Sequence, residues 1–112
     1  MRVAVVGSRE CGDLDLSKIK QNLPEDCTEI VSGGAQGVDT LAKKCAEEYG
    51  YRYTEFLPDY AAHGRTAPLV RNRLIVDHSD FVLAFWDYKS NGTRSTLAYA
   101  LERDKPVKII LL

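Results

Sequence analysis

Short apolar runs alternate with amphipathic stretches along the whole chain, and this alternation restricts the fold more than any other feature of the sequence. Five apolar segments stand out: Val3 to Val6, Glu29 to Val31, Tyr53 to Leu57, Phe81 to Phe85 and Val107 to Leu111. The first, fourth and fifth are nearly continuous, the pattern of strands covered on both faces. The second is too short to judge by itself. Between them, Val38, Leu41, Ala42, Cys45, Ala46 and Tyr49 recur at helical spacing, with Asp39, Lys43, Lys44, Glu47 and Glu48 on the other side and Gly50 as a stop. Leu16, Ile19, Lys20 and Leu23 predict an earlier helix ended by Pro24. Ala67, Val70, Leu74 and Ile75 predict a third, with Pro68 in its first turn, and Leu97, Ala98 and Leu101 a fourth that closes before Pro106. Strand and helix in alternation predict an α/β fold: about five parallel strands in one sheet, helices on both faces, right-handed crossovers. No repeat or linker divides the 112 residues, so one domain over 1–112 is expected.

Composition removes several function classes. Fifteen basic and 16 acidic side chains leave a net charge of −1, so the chain is no polycation, and phosphate binding has to come from local placement. Apolar residues at 45% and charged residues at 28% are a folded protein's balance. No apolar run approaches the ~20 residues of a membrane span. Met1 leads straight into the first apolar run without a signal-peptide layout. Cys11, Cys27 and Cys45 form no CxxC and cannot all pair, which fits reduced thiols in a cytoplasmic protein. His63 and His78 stand alone, so no metal site is expected. The chain lacks a Walker A loop, a G-x-G-x-x-G fingerprint and a nucleophile elbow, and no cofactor is required.

In an open parallel sheet, ligands lie beyond the carboxyl ends of the strands, where the strand order reverses. Three loops in those places are unusual. Gly7-Ser8-Arg9 turns sharply off the first strand and carries a hydroxyl and a guanidinium. Ser32-Gly33-Gly34-Ala35-Gln36-Gly37 runs through Val38 and Asp39 into the clearest helix. Small residues let backbone amides approach a phosphate there, and the helix start adds positive charge. Asp39 is expected to cap or face this loop rather than act as a base. Ser90-Asn91-Gly92-Thr93 repeats the same chemistry after Trp86-Asp87-Tyr88. Arg71 and Asn72 sit on a helix between these loops, beside Arg73, with donors suited to a phosphate or carboxylate.

Taken in order, Gly7-Ser8-Arg9, Ser-Gly-Gly-Ala-x-Gly-Val-Asp at 32 to 39, Arg71-Asn72-Arg73 and Ser-x-Gly-Thr at 90 to 93 resemble the SLOG superfamily of Rossmann-like domains. That superfamily includes the DNA-processing protein DprA (Smf) and the LOG phosphoribohydrolases. Asp59-Tyr60, Gly64-Arg65, Ala67 and Arg71-Asn72 bring the chain nearest to its small stand-alone YspA/YpsA-related branch. The resemblance implies a Rossmann-like three-layer domain that binds a nucleotide or nucleotide-derived ligand, of the ADP-ribose, NAD or nucleoside phosphate kind. Carried over by position, Gly33, Gly34, Gly37, Gly92 and Thr93 would cradle phosphate, with Ser8, Arg9, Arg71 and Asn72 around it. It also implies pairing into a homodimer or higher homo-oligomer. The LOG branch carries a glutamate where Thr96 stands here and a Pro-Gly-Gly that is missing, so LOG-type N-glycosidic hydrolysis lacks its acid.

Three functions are therefore weighed. The first is a cytoplasmic sensor or carrier of a nucleotide-like small molecule. The second is an N-glycosidic-bond hydrolase with Asp87 or Asp59 as its carboxylate. The third is single-stranded nucleic-acid binding, with Trp86, Tyr88 and Tyr60 stacking bases and Arg65, Arg71, Arg73 and Arg94 tracking phosphates.

Overall fold

The structure, a computed structural model, describes residues 1–112. Its five strands are β1 (Arg2–Gly7), β2 (Glu29–Ser32), β3 (Arg52–Glu55), β4 (Phe81–Trp86) and β5 (Val107–Leu111). They form one parallel sheet in the order β3-β2-β1-β4-β5. The chain walks outward from β1 to β3, then crosses back to β4 and walks out the other way. The strand order thus reverses between β1 and β4, which share the register Gly7 to Phe85 at their carboxyl ends.

Side chains alternate across the sheet, and each face has its own helices. Val3, Val5, Ile30, Leu83 and Phe85 meet Ile19 of α1 (Leu16–Asn22) and Val38, Ala42 and Cys45 of α2 (Val38–Tyr49). Ala4, Val6, Val31, Val82 and Ala84 meet Ile75 and Val76 of α4 (Ala67–His78) and Leu97 and Ala100 of α5 (Asn91–Glu102). A single-turn α3 (Tyr60–His63) and a 3₁₀ turn (Gly64–Thr66) link β3 to α4. The parallel sheet with helices on both faces expected from the alternation, and the three-layer Rossmann-like domain that the resemblance implies, are the fold observed.

Helix ends follow local chemistry. The Asp15 carboxylate caps α1 by accepting the Lys18 N–H at 2.9 Å, and Gly50 closes α2 in a left-handed conformation. No helix is long and apolar enough to cross a membrane. All three cysteines are free; burial raises the Cys27 thiol and pushes Cys45 up to about 11.

Several expectations need correction. β3 ends at Glu55, and Leu57 is exposed rather than part of the strand. β5 lies at a sheet edge, so its continuous apolar run is not covered on both faces: Ile109 and Leu111 are exposed. Leu74, Ala98 and Leu101 turn outward, while Ala67, Ile75 and Val76 anchor α4 and Thr93, Thr96, Leu97 and Ala100 anchor α5. Tyr49, at the end of the α2 stripe, is also exposed.

Candidate functional site

A cavity of about 500 Å³ opens at the carboxyl edge of the sheet, over the β1–β4 reversal. Gly7 makes its floor. A side chain there would collide with the Phe85 carbonyl and with Val38, so only glycine lets β1 run this close to β4. Ser8 follows, almost fully buried. Its N–H donates to the Phe85 carbonyl at 3.1 Å, and its Oγ accepts from the Asp87 N–H at 3.2 Å and from Ser90 Oγ at 3.1 Å. Ser8 therefore clasps the loop after β1 to the loop after β4 and stays off the cavity wall.

Of the residues expected at a site, the cavity brings together Gly7, Arg9, Asp39, Arg71, Asn72, Asp87, Ser90, Gly92 and Thr93. Ser8, Ser32, Gly33, Gly34 and Gly37 do not line it. Ser32 Oγ donates to the Val5 carbonyl at 2.8 Å and ties β2 to β1. The Gly33 carbonyl accepts from Arg71 Nη1 at 2.6 Å, which pins the glycine loop to α4. Gly34 packs beside Glu55 and Leu57. Gly37, with φ at +80°, starts α2 against the Arg9 carbonyl, where a Cβ would collide.

The front of α2 already holds an anion. The Asp39 carboxylate turns back and accepts the Ala35 N–H at 3.2 Å. Burial raises its pKa above the ordinary value, opposed by that amide and by the nearby Arg71 guanidinium. Asp39 thus faces the loop as the sequence suggests, and the loop amide that could have met a phosphate meets this carboxylate instead. The Val38 N–H is taken as well, by the Ser8 carbonyl at 3.2 Å.

The front of α5 is different. Ser90 makes no side-chain cap, and its carbonyl accepts the Arg94 N–H at 3.2 Å. The N–H groups of Asn91, Gly92 and Thr93 find no acceptor within the chain. All three residues line the cavity. In the same cavity lining, Arg71 gives Nε to Asn72 Oδ1 at 2.8 Å and Nη1 to Gly33, which leaves Nη2 without a partner.

Asp87 Oδ1 accepts the Ser90 and Lys89 N–H groups, both at 2.8 Å, and these bonds hold its carboxyl below the ordinary range. It lines the cavity as an anion at neutral pH. Asp59 does not reach the cavity; its carboxylate caps α3 by accepting the Ala62 N–H at 3.0 Å. Thr96 lines the wall but its Oγ1 donates to the Gly92 carbonyl at 2.9 Å, so no acid stands at that position.

Sequence reasoning missed Val6, Glu10, Pro68 and Ile75 as wall residues, and gave Ala35 and Asn91 only as members of their loops. Asn91 had a usable signal, since it directly follows the helix-starting serine. Glu10 had none beyond its place next to Arg9. The aromatics form a cluster beside α5. Trp86 and Tyr88 meet edge to face at 4.8 Å, Arg94 lies 5.8 Å over the Trp86 ring, and exposed Tyr88 holds a φ of +62°. Arg73 lies over Tyr99 at 5.4 Å, away from that cluster.

Comparison with known proteins adds the following. The sequence model of YAcAr, the YspA, cpYpsA-related SLOG family, matches residues 1–63, just over half of the chain. The fold is similar to that of DNA processing protein A (DprA) from Streptococcus pneumoniae, with TM-score 0.80 and 24% identity over 96% of this chain and 49% of that one. It is also similar to DNA processing protein A from Helicobacter pylori, described for its single-stranded DNA binding mode, with TM-score 0.77 and 24% identity over 97% of this chain and 64% of that one. The chain thus spans about half the length of the first and less than two thirds of the second. No match is found among curated proteins.

Proposed function

The chain belongs to the YspA, cpYpsA-related SLOG family, and from that premise we propose that its carboxyl-edge cavity binds a nucleotide or nucleotide-derived ligand by a phosphate, as a sensor or carrier. The observation that carries this reading is the set of three unpaired amides at Asn91, Gly92 and Thr93, in a cavity that Arg71, with a free Nη2, also lines. Unsatisfied N–H groups at a helix start hold a phosphate well, and a guanidinium fork adds a charge-assisted bond. The glycine loop at 33–37 then positions Asp39 and Arg71 rather than touching phosphate itself.

Calorimetric titration with nucleoside mono-, di- and triphosphates, NAD, ADP-ribose and ribose 5-phosphate tests this against Gly92→Asp. A Cβ at Gly92 meets nothing within 4 Å, so the position has room for a side chain, and the variant adds a negative charge at the α5 start. Two like charges about 4 Å apart cost about 1.4 kcal/mol or more near a protein surface, so affinity falls at least about tenfold. Equal binding by both proteins, or none by the wild type, contradicts the reading. Assay of the same mixtures for free base tests the hydrolase alternative.

A second reading has its own support. Exposed Tyr88 and Arg94 flank the half-buried Trp86 beside α5, an aromatic and cationic grouping suited to stacking a base of single-stranded nucleic acid. An oligonucleotide whose binding weakens steeply with salt and is lost in Tyr88→Ala supports it.

A further inference from the structure

The two edges of the sheet differ in chemistry. β3, at one edge, is short and begins and ends on a charge, Arg52 and Glu55, a common guard on a free edge. β5, at the other, runs Val107-Lys108-Ile109-Ile110-Leu111. The Pro106 carbonyl and the Leu112 N–H both bond to β4, so by the period of two the backbones of Lys108 and Ile110 turn inward as well. The N–H and C=O groups of Val107, Ile109 and Leu111 therefore point out from the open edge. The side chains of these same residues share a face with their register partners Val82, Ala84 and Trp86, and Ile109 and Leu111 are 40% and 57% exposed. The one charge of the strand, Lys108, stands on the other face.

Helix α5 extends this surface. α4 packs over β1 and β2, and α5 over β4 and β5. Tyr99 points back to α4, where its hydroxyl donates to the Asp77 carboxylate at 2.9 Å. Arg94, Ala98 and Leu101 follow at i, i+4 and i+7 along the flank away from α4, beside the β5 edge, and all three are exposed, Leu101 at 62%. We propose that this edge is where two copies of the chain join, β5 antiparallel to β5 about a two-fold axis at Ile109, into one continuous sheet. The strand is self-complementary in that arrangement. Ile109 meets the partner's Ile109 and Val107 meets the partner's Leu111, each pair exchanging both backbone bonds and setting apolar side chains opposite each other. Lys108 falls opposite the partner's Ile110, which keeps the two lysines apart. The α5 flanks then run antiparallel, with small Ala98 allowing close approach. Each Arg94 comes up to the partner's Leu101 and the partner's Glu102, an apolar contact for its stem and a carboxylate for its guanidinium. A net charge of −1 per chain opposes the pairing little. Because the joined strands are antiparallel, the two carboxyl-edge cavities open at opposite ends of the continuous sheet.

Sedimentation equilibrium and amide hydrogen exchange test the proposal. Wild type should sediment at twice the chain mass. Ile109→Lys, which sets two ammonium groups against each other at the axis, should sediment at the chain mass. Leu74→Lys, the same change at an exposed leucine of α4, should stay a dimer. In the wild-type dimer the Ile109 and Leu111 amides should exchange at least about tenfold more slowly than in a sample diluted until it dissociates. The Lys108 and Ile110 amides, turned toward β4, should be slow in both. The exchange measurement needs no variant and decides the matter if Ile109→Lys fails to fold. A wild type that is monomeric at every concentration, a dimer that survives Ile109→Lys or is broken by Leu74→Lys, or one that leaves the Ile109 and Leu111 amides in fast exchange overturns the proposal.

Discussion

Asp39 is one of three carboxylates lining the cavity, with Glu10 and Asp87, and it is the buried one, near the Arg71 guanidinium. Its raised pKa means that the folded protein binds its proton more tightly than the unfolded chain does. Stability is therefore lost as pH rises from the ordinary carboxyl value through the folded one, and the full cost is present at neutral pH. Asp39→Asn keeps an acceptor for the Ala35 amide and removes the charge. It should be at least as stable as wild type at pH 7, with the difference shrinking at acid pH, when urea midpoints are compared. It should also bind phosphate more tightly, since one repelling charge is gone; weaker binding would mean that Asp39 itself holds the ligand. Two glycines separate packing from binding at the same scale. Gly37→Ala forces a Cβ into the Arg9 carbonyl at a φ of +80° and should cost at least about 2 kcal/mol in urea unfolding. Gly92→Ala, in open space at a helix start, should be neutral or stabilising by up to about 1 kcal/mol.

At the level of elements, α1 depends on one side chain. Ile19 is its only buried residue, fully enclosed among Val3, Val5 and α2, so Ile19→Ala should cost about 2–5 kcal/mol by chemical denaturation. A cost under about 1 kcal/mol would show that α1 is dispensable to the core. The strands and the four long helices were legible because short apolar runs and period-3.6 patterns are local. What failed was position in the sheet. Nothing within Val107–Leu111 shows that β5 ends up at an edge, because sheet order is set by crossovers elsewhere in the chain. Leu74 failed for a related reason: α4 is apolar around much of its circumference, so its pattern does not single out the face that Ile75 and Val76 take. The glycine loops were legible as loops of special geometry. Their division of labour was not, since Asp39 turning back onto Ala35 is a matter of side-chain direction. The α5 start was legible from Ser90-Asn91-Gly92-Thr93, and it is this end that keeps its donors free.

Over the whole molecule, several carboxylates anchor the sheet and loops, and their pKa shifts set an acid limit. Burial pushes Glu29 up, but hydrogen bonds from His78 at 2.8 Å and Thr54 at 3.1 Å outweigh it and leave the carboxyl lowered. The Arg2 N–H lowers Asp80 where β1 begins, and the Ser90 and Lys89 amides lower Asp87. These depressed groups contribute stability that is present above the ordinary carboxyl values of 3.8 to 4.5 and lost as pH falls through the folded ones. With the opposing Asp39 shift removed by Asp39→Asn, urea midpoints should thus be steady from pH 7 down to about 5 and then drop, and adding Glu29→Gln should flatten that drop. A midpoint that rises on acidification would contradict it. The same arrangement gathers the Glu10 and Asp87 carboxylates, the Arg71 guanidinium and the α5 amides at one edge of the sheet, and the most direct test is to see where a phosphate goes. Amide NMR spectra of the labelled protein should be recorded with AMP and with adenosine. We predict that the difference between the two titrations is largest at Asn91, Gly92 and Thr93. A largest difference at Gly33 to Gly37, or no difference anywhere, would contradict the assignment of the α5 start as the phosphate site.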